Sequence, residues 1–205
     1  MSLTDLFVLN NFASKPKGGT MKLTKQDWVR KGFEMLSTEG YHAIMIDYLC
    51  AKFKITKGSF YHYFDGIDEY VRLLVKEWEK QVMMRLETVM AGATTPEEKI
   101  NRMVEFSFGF SGRLELSLRA WALHNKLVKN LLIKMELRRI EIMSGLFEEL
   151  GLTKKKAREM AELAHASWIG IQTCNIEGVV NREQCIQLIN DLMQLMIRRQ
   201  VSEKA

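Results

Sequence analysis

Proline is nearly missing from this chain: Pro16 and Pro96 are the only two in 205 residues. A β-sandwich needs many turns rich in proline and glycine, so an all-β fold is not expected. Cysteine is sparse as well. Cys50, Cys174 and Cys185 are odd in number and match no metal-ligand spacing, which reads as reduced thiols in a cytoplasmic protein. No run of about 18 apolar residues occurs, so no membrane-spanning helix and no membrane partner are expected. The N-terminal apolar run lacks a basic flank and stops at Asn10, which makes a poor signal peptide. No two of the four histidines (His42, His62, His124, His165) share a helix face, so no metal site is expected. The metalloprotease, phosphate-loop and dinucleotide fingerprints are all lacking. Ser107 to Arg113 approaches a nucleophile elbow, but position 113 is Arg and no strand precedes it. Neither an enzyme nor a cofactor is expected.

Charge is present and unevenly placed. Residues 1–64 carry nine Lys/Arg against five Asp/Glu, while the other 141 residues carry 21 against 20. A compact basic module suits a polyanionic partner, nucleic acid or membrane surface, although a solvated basic face has the same composition. Residues 1–20 read as an arm: Leu6 to Leu9 are apolar, and Lys15-Pro16-Lys17-Gly18-Gly19 is a flexible basic stretch. Such an arm either reaches a minor groove or is a leader without a role.

From residue 21 onward the pattern is helical throughout, and the fold class expected is all-α. Thr24 and Asp27 form a capping-box pattern before Trp28, Val29, Phe33 and Leu36 at helical spacing, and Gly40 supplies the stop. Two short helices follow, about Ile44 to Phe53 and Thr56 to Phe64. A long one then runs to about Met90. Thr95-Pro96-Glu97-Glu98 opens a fifth, with proline at the first position and acids in the first turn. Two more lie within Leu114 to Leu150, an eighth spans Thr153 to about Glu177 and a ninth Asn181 to about Gln200. In the fifth helix Ile100, Val104 and Phe108 fall on one arc, and Met103, Phe106 and Phe110 on the next. So wide an apolar arc belongs to a helix packed on most of its circumference.

The two short helices hold the functional signal. They are joined by the tight turn Phe53-Lys54-Ile55, and Ile46, Leu49, Ile55 and Phe60 can fill a small core beneath Trp28, Phe33 and Leu36. This is a helix-turn-helix pattern, whose second helix enters the major groove. That helix opens with Thr56, Lys57, Gly58 and Ser59, small and polar residues that let backbone N–H groups approach phosphate. Tyr61, His62 and Tyr63 follow. Three adjacent rings cannot all face a core, so some are exposed and want a partner.

Gly40-Tyr41 and the run Ile55-Thr56-Lys57-Gly58-Ser59-Phe60-Tyr61-His62-Tyr63-Phe64 resemble the TetR family of transcriptional regulators, whose recognition-helix motif the run matches almost residue for residue. The resemblance covers about Leu23 to Leu74. It implies an N-terminal three-helix DNA-binding domain at 21–66, a C-terminal ligand-binding and dimerisation domain at 67–205, and a homodimer on a near-palindromic double-stranded operator. Thr56, Lys57, Gly58 and Ser59 then meet phosphate or base edges, Tyr61, His62 and Tyr63 meet backbone and bases, and Phe60 and Phe64 are core. The chain departs from the family where Ile44 and Met45 replace Ser or Thr, where Lys54 replaces Gly at the turn, and where Ile67 replaces Lys at the start of the fourth helix.

The body is less explicit. Seven of the 13 methionines lie between Met83 and Met160, and methionine suits adaptable apolar pockets as well as ordinary cores. Met103, Phe106, Phe110, Trp121, His165 and Trp168 are the candidate walls of a site for a small, largely apolar effector that changes operator affinity. Ala161, Ala164 and Ile171 in the eighth helix and Ile186, Ile189, Met193 and Met196 in the ninth are candidate dimer contacts in a four-helix bundle, with intramolecular core the alternative for one stripe. A DNA-bound adaptor that recruits a protein and senses no small molecule remains the alternative function.

Overall fold

The computed structural model describes residues 23–109, 112–173 and 181–202. The expected arm over 1–20 and the candidate pocket residue Phe110 lie outside these. Among the described residues there are nine α-helices, a short 3-10 turn at Tyr41–Ala43 and no strand. The helices are α1 (Lys25–Thr38), α2 (Ile46–Phe53), α3 (Lys57–Tyr61), α4 (Ile67–Met90), α5 (Pro96–Gly109), α6 (Arg113–Ala122), α7 (Lys126–Glu149), α8 (Lys154–Thr173) and α9 (Arg182–Ser202). Their starts follow the capping chemistry of the sequence. Asp27 N–H donates to Thr24 Oγ1 at 3.2 Å while Thr24 N–H donates to Asp27 Oδ2 at 2.9 Å. Before α5, Glu98 N–H donates to Thr95 Oγ1 at 3.2 Å, and before α9, Gln184 N–H donates to Asn181 Oδ1 at 3.1 Å. No helix is long and apolar enough to cross a membrane among the described residues.

The chain packs as two compact units. The first comprises the described residues within 1–82 and 110–133, the second those within 83–109 and 134–205. This grouping runs differently from a break at residue 66, because α6 packs on α1. Ser117 Oγ in α6 donates to the Leu36 carbonyl in α1 at 2.6 Å, and the Trp121 ring stacks on Tyr41 with centroids 6.3 Å apart.

The centre of the first unit is an aromatic box. Trp28 is fully buried, and Phe60, Phe64 and Tyr70 meet it edge-on at 5.3, 6.2 and 6.0 Å. Edge-to-face contacts of this kind add about 0.5–1.5 kcal/mol each beyond the area they bury. Tyr70 Oη donates to the Trp28 carbonyl at 2.7 Å, tying α4 to α1. Leu49 is buried with them as expected, whereas Ile46 and Ile55 are half-buried.

The second unit is built around α5, where Ile100, Met103 and Val104 are buried against Phe147, Met160 and Trp168. This core also claims most of the residues expected at a dimer surface. Ala161, Ile171 and Met193 are buried in it, and Ala164, Ile186 and Ile189 pack partly buried against it. A side chain covered by its own chain has little area left for a second one. Of the seven, Met196 alone is exposed. The outward apolar positions are instead Leu163 on α8 and Leu188, Leu192 and Leu195 on α9. Spacing shows that α9 is apolar on two sides but not which side meets α8.

Candidate nucleic-acid interface

Helix α2 ends on Lys54, held in the left-handed region at φ 55°, ψ 44°. It is the one non-glycine residue with positive φ among the described residues. Lys54 N–H donates to Ala51 O at 3.2 Å and Ile55 N–H to Cys50 O at 2.9 Å, closing the turn. The tight turn is thus kept without glycine, at a conformational cost of about 1–2 kcal/mol. At the other end of α2, Ile44 is 4% exposed and serves the core, while Met45 takes the N-cap position with no side-chain hydrogen bond. Neither provides the hydroxyl found there in the family pattern.

Helix α3 is oriented by one ring. Phe60 is fully buried in the aromatic box, and Thr56 Oγ1 caps the helix by accepting from Ser59 N–H at 3.3 Å. With that side anchored, Thr56, Lys57, Gly58, Tyr61 and His62 are exposed, and Ser59 and Tyr63 are half-buried. Tyr61 is 55% exposed. All seven candidate DNA-contact residues therefore belong to one short segment, five of them with open surface.

Two acids pair with lysines of the helix-turn-helix. Lys57 Nζ lies 2.5 Å from Asp47 Oδ1, in the first turn of α2. The hydrogen bond to Asp47, and then its charge, raises the Lys57 pKa. Lys52 Nζ lies 2.7 Å from Glu39 Oε1, and the Tyr48 hydroxyl donates to the same carboxylate. Those two hydrogen bonds, Lys52 first, hold the Glu39 pKa below the usual carboxylate value. The place of Asp47 opposite Lys57 depends on how α2 and α3 cross.

Of the residues expected around an effector, Met103, Phe106, His165 and Trp168 belong to the second unit, and Trp121 belongs to the first, where Tyr41 covers it. In the second unit Trp168 Nε1 donates to the Ser107 carbonyl at 3.0 Å, and Gln172 Nε2 donates to the same oxygen at 3.3 Å. The Arg139 guanidinium lies 4.8 Å from the Trp168 ring. His165 Nε2 is buried without a hydrogen bond, 3.7 Å from a Glu136 carboxylate oxygen. A groove of about 800 Å³ in this unit is lined by Glu141, Ser144, Glu148, Lys154, Lys155 and Arg158. None of the described candidate effector residues lines it.

No protein-family model matches the chain. A transcriptional regulator of Cereibacter sphaeroides, AcuR, is 30% identical over 66 residues, which are 32% of this chain and 30% of that protein. The chain thus spans less than a third of the length of the curated relative it matches. Likeness to solved structures is far more extensive. A transcriptional regulator from Saccharomonospora viridis, solved in complex with choline, superposes with a TM-score of 0.70 at 13% identity, covering 83% of this chain and 95% of that one. A TetR-like transcriptional regulator from Rhodococcus does so with a TM-score of 0.66 at 19% identity, covering 87% and 97%. The fold of this chain is that of the TetR-like transcriptional regulators.

Proposed function

We propose that the protein is a dimeric, sequence-specific DNA-binding transcriptional regulator of the cytoplasm, acting as a repressor. Helix α3 enters the major groove of a near-palindromic operator, and a small, largely apolar effector held by the second unit changes operator affinity. The observation that carries the reading is the exposed Tyr61 ring beside exposed Lys57 and His62, on a helix whose other side Phe60 locks into the core. An aromatic and a cation held open on a rigid, capped helix suit base edges and phosphate.

The dimer is supported by Leu188, Leu192, Leu195 and Met196, all exposed on α9. With exposed Leu163 and Gly170 on α8 and their symmetry mates, they suit a four-helix bundle. A two-fold protein reads two equivalent half-sites, hence the near-palindrome. For the effector, Met103, Phe106 and Trp168 supply apolar wall, and His165 supplies a polar group.

Selection of bound duplexes from a random pool tests the reading. Enrichment of a near-palindrome is expected, with affinity falling steeply as salt rises, because bound lysines displace counterions. Binding that ignores salt would remove the basic first unit as the DNA surface.

A further inference from the structure

The helix-turn-helix carries its own competitors for DNA phosphate. Lys57 is held by Asp47 at 2.5 Å, and Lys52 by Glu39 at 2.7 Å. Both acids belong to the same unit as α3, and both present to an ammonium the chemistry that a phosphate oxygen presents. The Lys57–Asp47 pair is open to water, with side chains 60% and 75% exposed. Exposed pairs are weak and exchange readily, so this one is displaceable rather than a fixed strut.

We propose that Asp47 occupies Lys57 in the free protein and must be displaced by DNA phosphate, so that Lys57 contributes little to binding of arbitrary sequence. The inference rests on the DNA-binding reading above. While Lys57 stays on Asp47 it neutralises no phosphate and releases no counterion from DNA, and moving it to a phosphate trades one exposed pair for another. The exchange is close to neutral on any duplex. It goes to completion where base contacts by α3 bring the phosphate into place. Asp47 thereby acts as a specificity-setting residue that touches no base, and Glu39 on Lys52 repeats the arrangement.

The experiment measures affinity for a labelled mixed-sequence duplex by fluorescence anisotropy, from about 50 to about 200 mM salt. Asp47→Asn is expected to tighten this binding about 2–5-fold, the range typical of an exposed pair. It should also steepen the plot of log affinity against log salt by about 0.9, the value for one further neutralised phosphate. In a Lys57→Ala background the same substitution should change neither quantity. Asp47→Ser, which keeps a small polar side chain in the first turn of α2, should reproduce the gain if Asp47→Asn folds poorly, with helix content checked by circular dichroism. Unchanged affinity and slope in both variants overturns the proposal. So does a gain that survives in the Lys57→Ala background, because Asp47 would then act by general repulsion of DNA. Wild-type protein that binds no duplex at the lowest salt refutes the DNA-binding reading itself, and this inference with it.

Discussion

Gly32 faces Tyr70 and Leu74 of α4 at close range, and Gly32→Ala tests whether that approach holds the first unit together. A methyl group there would lie 2.6 Å from Leu74 Cδ2 and 2.9 Å from Cδ1, and closer still to the Tyr70 hydroxyl. Neither neighbour has room to move, since Leu74 and Tyr70 are fully buried. The Tyr70 phenol is also pinned to the Trp28 carbonyl at 2.7 Å, and burial pushes its pKa far above the ordinary value, so it remains a donor. Helix propensity favours alanine by about 1 kcal/mol. Against that, overpacking costs about 1–3 kcal/mol, and a buried hydroxyl driven off its acceptor costs about 1–3 kcal/mol more. The net expectation is a loss of about 2–3 kcal/mol. For a chain of this size that lowers the melting temperature by about 4–12 °C. Thermal unfolding followed by circular dichroism measures it. Tyr70→Phe removes the crowded oxygen, so Gly32→Ala should cost about 1 kcal/mol less in that background, a coupling that only neighbours show. A Gly32→Ala protein as stable as wild type, or a strictly additive pair, refutes the reasoning.

Lys57→Ala and Tyr61→Ala should each weaken operator binding without lowering the melting temperature. Lys57→Ala should weaken the operator more than a mixed-sequence duplex, with a salt-slope change on the operator at or below about one unit, and Tyr61→Ala should relax discrimination between sequences; gel-shift titrations across salt on both duplexes separate the two. Leu192→Glu should yield folded monomers in sedimentation, because Leu192 is 50% exposed. Met193→Glu should unfold the second unit, because Met193 is 7% exposed and the charge would be buried without a partner; folded monomers from both would contradict the placement of α9. Burial raises the Asp27 pKa, but hydrogen bonds from the Thr24 side chain and backbone and the pairing with Arg30 outweigh it, leaving it below the ordinary 3.8. The stability Asp27 brings is therefore complete above pH 3.8 and disappears as the pH falls through the lower folded-state value. An acid-unfolding series should show a shallower acid loss in Asp27→Asn than in wild type, and equal slopes would contradict this.

Helix order and the capped starts were readable in the sequence because caps are local: Thr24 and Asp27, Thr95 and Glu98, and Asn181 all sit within four residues of the groups they satisfy. The orientation of α3 was readable for a related reason. Phe60 and Phe64 have few ways to be buried together, and burying them turns Lys57 and Tyr61 outward. What escaped the sequence was pairing between elements. A helix with apolar residues on two sides, such as α9, can turn either side inward, and the choice depends on the shape of α5 and α8. Trp121 looked like a pocket wall because nothing near it in sequence predicts that Tyr41 would cover it. Asp47 and Glu39 meet lysines distant from them in sequence only through the crossing of α1, α2 and α3.

The docking of α6 against α1 bears on how this protein can be taken apart or recombined. The Ser117 hydrogen bond to Leu36 and the Trp121–Tyr41 stack are made by a segment about eighty residues downstream of the helix it covers. A fragment cut after α3 would lose that cover, together with Tyr70 and Leu74, and would bare one side of α1 to water. Chimaeras that graft this helix-turn-helix unit onto a different helical body must therefore carry two separate stretches of chain, the first reaching residue 82 and the second including residues 113–124. A hybrid spliced once, at residue 66, should aggregate or melt early, whereas one that carries the chain to residue 82 together with α6 and His124 should keep this unit folded.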